Sequence, residues 1–222
     1  MSQEQWSAVD QYINERLAPP DEILDGAQKA SAAAGLPSIS VAPNQGKMLS
    51  LYARMIGARR ILEIGTLGGY STIWLGWALP IGGKIVTMEF DPKHAEVARS
   101  NIAHAGLADA VDVRVGKALE LLPKLEAEKP GAFDLFFIDA DKANIPSYFE
   151  WALKLSRAGS VIVVDNVVRK GNILDGASED ANVVGLRRFY DMLATETRVS
   201  ATAIQTVGSK GYDGFALAVV LG

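Results

Sequence analysis

Leu135-Phe136-Phe137-Ile138 runs straight into Asp139-Ala140-Asp141-Lys142, so a fully apolar segment ends in two carboxylates and an amine. Val161-Ile162-Val163-Val164 ends in a similar way, in Asp165-Asn166. Asp139, Asp165 and Asn166 offer only oxygen donors, a set that suits Mg²⁺, with Mn²⁺ or Ca²⁺ as alternatives, and does not suit zinc or copper. If both segments are strands of one sheet, their ends meet around a single hard cation. Lys142 follows Asp139 by three residues. Beside a divalent cation its ammonium is disfavoured, which makes the amine a usable base. Each residue also has a plain explanation: a strand-end carboxylate capping the next turn, a turn asparagine, a solvated lysine. It is the pairing of two acid-ended strands that favours the cation.

Two more acids sit at the ends of apolar runs, Glu63 in Ile61-Leu62-Glu63-Ile64 and Glu89 after Val86-Thr87-Met88. The first leads into Gly65-Thr66-Leu67-Gly68-Gly69-Tyr70-Ser71, a glycine-rich turn that opens a helix. Glycines there let a ligand approach the backbone, and the helix start favours an anionic group. Glu89 follows Glu63 by 89 − 63 = 26 residues, at the end of the next strand, where an acid can accept hydrogen bonds from both hydroxyls of a ribose. The turn lacks the G-x-G-x-x-G spacing that makes room for a pyrophosphate, which argues against a nicotinamide cofactor. Four acids on one edge are costly to bury without a compensating ligand. His94 and His104 fall about ten residues apart in one helical segment, off a shared face, and read as surface residues.

The elements that must position these residues alternate regularly. Strands are expected at Ile61–Ile64, Ile85–Met88, Val111–Val115, Phe133–Ile138 and Val161–Val164. Helices are expected from about Ser71, from Pro92 towards His104, around Leu119–Leu125 and near Pro146–Leu155. Such alternation implies an α/β fold, a parallel sheet with helices on both faces, because parallel strands need crossover connections. Ligands of such sheets bind outside the carboxyl ends of the strands. Before the first strand, Trp6, Val9, Ile13 and Leu17 recur at helical spacing until Pro19-Pro20, a second helix runs from Asp21 to Gly35, and Asn44 is placed to cap a third. After a polar segment at Arg169–Asn182 comes a helix near Val184–Leu193. The strands Ser200–Val207 and Phe215–Leu221 follow, joined by a connection too short for a helix and so paired as an antiparallel hairpin.

The totals exclude several classes. With 26 acidic against 22 basic residues, the net charge of −4 provides no broad basic face for nucleic acid. The absence of cysteine rules out disulfides, thiolate zinc sites and a thiol nucleophile. No apolar run reaches membrane-spanning length, and Met1-Ser2-Gln3-Glu4-Gln5-Trp6 lacks the pattern of a signal peptide, so a cytoplasmic protein acting on small molecules is expected, with no nucleic-acid or membrane partner.

In their order and residues, these segments resemble the cation-dependent O-methyltransferases that use S-adenosylmethionine (SAM). That group contains catechol O-methyltransferase, plant caffeoyl-CoA O-methyltransferase and small bacterial relatives. The resemblance runs from about Ile39 to the C-terminal hairpin and is nearer the caffeoyl-CoA and bacterial branch. It implies a Rossmann-like class I methyltransferase fold with a mostly parallel seven-stranded sheet. One domain would span 1–222, an N-terminal helical cover over 1–56 and a cofactor-binding core over 57–222. It also implies that Glu63 and Gly65 lie near the methionine portion of SAM, Ser71 near its carboxylate, and Val41 along the cofactor. Glu89 would take the ribose, Ala118 in Gly116-Lys117-Ala118 would flank the adenine, and Asp141 would lie near the methyl donor. Asp139, Asp165 and Asn166 match the metal ligands, Asp139 also facing the cofactor, and Lys142 matches the catalytic lysine. A homodimer is a further expectation from the family.

Two departures concern the acceptor. Animal catechol enzymes carry histidine and tryptophan where this chain has Ala140 and Asp141, and plant enzymes carry a tryptophan in the segment that here reads Val167-Val168-Arg169-Lys170-Gly171. The expected activity is therefore metal-dependent methylation of a hydroxyl on a catechol-like small aromatic molecule. A phenolic CoA thioester is the alternative acceptor, with Arg169, Lys170, Arg187 and Arg188 as candidate phosphate partners. An NAD(P) oxidoreductase and a non-enzymatic cofactor-binding protein are the more distant readings.

Overall fold

The computed structural model describes residues 2–222. Three helices precede the sheet: α1 (Gln3–Leu17), α2 (Glu22–Ala33) and α3 (Pro43–Met55). Ser2 caps α1 by accepting from the Gln5 N–H, and Asp21 caps α2 by accepting from the Ile23 and Leu24 N–H groups. Asn44 is not the cap of α3. Pro43 already occupies the first turn, its fixed φ suited to that position, while Asn44 turns its amide to the Asp10 carboxylate at 2.9 Å.

Strands and helices then alternate: β1 (Arg60–Ile64), α4 (Tyr70–Gly76), β2 (Lys84–Glu89), α5 (Pro92–His104), β3 (Val111–Val115), α6 (Ala118–Ala127), β4 (Leu135–Ile138), α7 (Ile145–Leu155), β5 (Val161–Asp165), α8 (Ala181–Thr195), β6 (Val199–Gly208) and β7 (Gly211–Val220). Short 3-10 segments at Lys142–Asn144 and Arg169–Leu174 follow β4 and β5. The strands form one sheet in the order β3-β2-β1-β4-β5-β7-β6, parallel through the first five. β7 runs antiparallel to both β5 and β6. Chain order reverses between β1 and β4, the place where open α/β sheets leave a crevice at their carboxyl edge.

The central strands are covered on both faces, which is why they read as unbroken apolar runs rather than alternating ones. Period-two alternation divides them between two cores. Ile61, Leu135, Phe137, Val161 and Val163 pack beneath the helices of the N-terminal half, while Leu62, Phe136, Ile138, Ile162 and Val164 pack against Phe149, Leu186 and Phe189 of α7 and α8. The C-terminal hairpin departs from expectation in its turn. Its strands extend until Gly208 pairs with Gly211, leaving only Ser209-Lys210 as the connection rather than seven residues. Gly211 makes the tight reversal possible through a left-handed φ of 96°. Among the described residues, no helix is long and apolar enough to cross a membrane.

Candidate active site

A cavity of about 970 Å³ lies along the carboxyl edge of the parallel strands. Strand order dictates its sequence of walls: Gly116–Ala118 after β3, Glu89 at the end of β2, Gly65–Leu67 after β1, Asp139–Lys142 after β4, and Asn166 and Arg169 after β5. Val41, on the segment entering α3, closes it from above with Ile39 and Ser40. Of the residues expected to meet the cofactor, Val41, Gly65, Ser71, Glu89, Ala118, Asp139 and Asp141 line this one cavity.

Gly65 has a left-handed φ of 98°, and a Cβ there would lie 2.1 Å from the Asp139 carbonyl oxygen, so glycine is required for β1 and β4 to turn out side by side. Glu89 is held rigidly: one oxygen accepts from the Thr66 and Leu67 N–H groups at 3.1 and 2.7 Å, the other from the Asp91 N–H at 2.9 Å. His94 is not a solvated surface residue. It lines the cavity with Nδ1 3.5 Å from the Glu89 carboxylate, because the first turn of α5 rises beside the end of β2.

Glu63 stands apart from the other cofactor-side residues. It is fully buried and does not line the cavity. Strand alternation sends its side chain to the same face as Ile61, beneath α4, where it accepts hydrogen bonds from Ser71, Thr72 and Thr87. Burial, reinforced by the charge of Asp139, pushes its carboxyl up to about 7 even against those three hydroxyl donors. It holds Ser71, whose residue does reach the cavity wall.

At the centre, Lys142 is only 6% exposed and its Nζ sits 2.8 Å from Asp139 Oδ1. Asp165, also 6% exposed, lies behind the cavity wall rather than on it, while its neighbour Asn166 lines the cavity with a left-handed φ of 56°. Asp165 accepts from Gln45 Nε2 at 2.7 Å and from the Asn166 N–H at 2.8 Å. Burial first, then the negative charge of Asp139, pushes its carboxyl up to about 7. Each of the four strand-end acids has donors within the protein, hydroxyls, amides or a lysine, yet for Glu63 and Asp165 these do not offset burial and the nearby charge of Asp139.

Among the described residues no group of three or more His, Cys, Asp and Glu side chains is arranged to hold a metal ion. The candidate set is two carboxylates and one amide. Its fit rests on its chemistry: oxygen donors only, with two carboxylates near enough that one raises the other, a repulsion that a divalent cation would relieve.

Several residues had no assignment from sequence. Gln45 supports Asp165, and Tyr148 donates its phenol to Asp141 at 2.6 Å, with Asn144 bonding the same carboxylate. Burial and that carboxylate together push the Tyr148 phenol above its ordinary range. Asn182, at the start of α8, closes the far end beside Arg169. Tyr148 lies seven residues after Asp141, on the face its helix must turn back to β4, a spacing that helical periodicity could have flagged. Gln45 carries no local signal, since its partner is 120 residues away.

The switch-point crevice, the acid at the end of β2, the glycine turn after β1 and the antiparallel addition beside β5 define a Rossmann-like class I methyltransferase fold. Residues 14–219 match the family model described as O-methyltransferase, and the chain belongs to that family. A catechol O-methyltransferase of Niastella koreensis is 52% identical over 220 residues, covering 99% of this chain and all of its own. The crystal structure of an O-methyltransferase from Bacillus cereus in complex with SAH superposes with a TM-score of 0.97 at 58% identity, covering 99% of this chain and 100% of that one. The O-methyltransferase TomG from Streptomyces achromogenes, involved in tomaymycin synthesis and solved in complex with SAM, gives 0.97 at 53% identity with full coverage of both chains. The nicotinamide oxidoreductase and the non-enzymatic binding protein are set aside by this membership.

Proposed function

We propose that this protein transfers the methyl group of SAM to one hydroxyl of a catechol-like small aromatic molecule, with a divalent cation, Mg²⁺ first, held by Asp139, Asp165 and Asn166. The observation that carries this reading is the single cavity that joins Glu89 at one end to the Asp139–Lys142 pair and Asn166 at the other. The relatives crystallised with SAH and SAM support the cofactor, and the catechol O-methyltransferase relative supports the acceptor.

Glu89 would hold the ribose hydroxyls, with Ala118 flanking the adenine and Val41 covering the cofactor. Gly65 leaves room at the backbone for the methionine portion, near Ser71 and Asp141. Held by Asp139, Asp165 and Asn166, a divalent cation would supply positive charge that acidifies two vicinal hydroxyls of the acceptor. Lys142 Nζ accepts the hydroxyl proton. The phenolate oxygen then forms the new O–C bond as the C–S bond breaks, leaving the sulfur as a neutral thioether. With SAM and the acceptor filling the cavity beside the buried Lys142, water would be displaced from the reacting groups, so that the opposite charges of phenolate and sulfonium attract strongly and neutralise each other in the transition state. Orientation in line supplies much of the remaining acceleration.

Methylation of catechol by labelled SAM should be lost on chelation and restored by Mg²⁺, while calorimetry shows SAM still bound without the metal. Lys142→Ala should lower kcat by about 10²-fold or more, the range of a lost general base, with little change in the cofactor Kd. Full turnover with a chelator present would remove the cation from the mechanism, and an undiminished rate in the lysine variant would remove Lys142 as the base.

A further inference from the structure

The charges along the cavity wall are unequal in one respect. Four cationic or potentially cationic side chains line it, Lys142, Lys117, His94 and Arg169. Three have an acid within reach: Lys142 at 2.8 Å from Asp139, Lys117 at 3.8 Å from Glu120 and His94 at 3.5 Å from Glu89. The Arg169 guanidinium has no carboxylate or carbonyl partner among the described residues, although it is only partly exposed.

Arg169 is also held in place by its backbone. It has a left-handed φ of 52°, followed by 55° at Lys170 and 89° at Gly171, an arrangement non-glycine residues seldom adopt. Asp213 of β7 pins it there, one oxygen accepting from the Val168 and Arg169 N–H groups at 3.0 and 2.9 Å. The hairpin thus fixes a strained segment that delivers a free guanidinium three residues beyond Asn166, at the end of the cavity opposite Glu89.

The other basic residues of this region do not join it. Lys170 and Arg188 are exposed and off the cavity wall, and Arg187 donates to the Ile173 carbonyl at 2.8 Å on a separate cavity between α8 and the hairpin. A CoA diphosphate would be met by a cluster of cations; here one planar fork is offered, which matches a single carboxylate in bidentate fashion.

Resting on the methyltransferase reading above, we infer that Arg169 is a specificity residue that pairs with a carboxylate on the acceptor, so that the preferred substrate is a vicinal dihydroxy aromatic acid rather than a neutral catechol or a CoA thioester. The two hydroxyls would sit towards Asn166 and Lys142 while the acid group reaches Arg169, which orients the ring.

The test compares kcat/KM for three acceptors of one skeleton, 3,4-dihydroxycinnamic acid, its methyl ester and its CoA thioester, with labelled SAM and Mg²⁺. The wild-type protein should prefer the free acid to the ester by about 10- to 100-fold, the discrimination of one charge-assisted pair. Arg169→Gln should bring that ratio towards one, and Arg169→Lys should restore part of it, since a lysine keeps the charge without the fork. Ratios are compared within each variant, so a general loss of folded protein does not alter them. Equal turnover of acid and ester by the wild type, a preference for the CoA thioester, or an unchanged ratio in both variants would overturn the role of Arg169 while leaving the methyltransferase reading intact. Failure of every acceptor to be methylated would overturn both.

Discussion

Glu63 shows how far a residue's chemistry depends on which way it faces. From sequence it stands as one of four strand-end acids, yet it supports the site from below, with three hydroxyls donating to it. Its carboxyl lies at about 7 against an ordinary 4.5, so the folded state binds a proton that the unfolded chain has released between those values. Unfolding stability should therefore fall as pH rises from about 4.5 to about 7, by a few kcal/mol in the limit of full burial. Denaturant titrations of the ligand-free protein at pH 5 and pH 8 measure this, and Glu63→Gln should flatten the slope. A slope unchanged in that variant would mean Glu63 is charged throughout. Asp139, Asp165, Asn166 and Lys142 were legible as a set because each combines a side-chain type suited to the chemistry with a position at the end of a buried strand. Gln45 and His94 were not, because helix-borne residues join a strand-edge site only through packing.

Elements carry the precision of the site. The 3-10 segment Lys142–Asn144 has little structure of its own, and its position is set by α8, which packs directly against it. The contact is close because residue 185 is glycine: a Cβ there would lie 2.5 Å from the Lys142 carbonyl oxygen and 2.7 Å from Ala143 Cα. Both are backbone atoms, so the segment or the helix would have to move. Gly185→Ala should destabilise the fold by about 1–3 kcal/mol, typical of overpacking, and should lower kcat by about tenfold or more as the amine shifts. Thermal unfolding and steady-state kinetics check the two parts separately; a stable variant with normal kcat would show that α8 does not position Lys142. Strand and helix boundaries were predictable to within a few residues from periodicity, proline and glycine. The hairpin connection is shorter than its seven-residue sequence suggests because Gly208, Gly211 and Gly214 look like turn residues but take part in strand pairing, two of them facing each other.

At the scale of the whole molecule, the N-terminal helices and the C-terminal hairpin meet at Asp10. This buried acid of α1 accepts from Asn44 Nδ2 at 2.9 Å and from the Ser209 N–H at 2.7 Å, joining α1, α3 and the hairpin turn. Asp10→Ala would leave both donors without their acceptor and should cost about 1–3 kcal/mol, seen as a lower denaturant midpoint and faster proteolysis at Ser209-Lys210. An unaltered midpoint would assign no holding role to this tie. By itself the amino-acid sequence determined the alternation of strands and helices, the parallel sheet with its added hairpin, and the edge at which acids, amide and lysine gather, because periodicity and side-chain type are local properties. Only the tertiary structure decided which of those acids face the cavity and which lie behind it, which side chain holds Asp165, and that Arg169 alone among the cations lining the cavity lacks an acid partner. These outcomes depend on side-chain direction and on partners as distant in the chain as Gln45 from Asp165 and Asp213 from Arg169, and no local pattern encodes them.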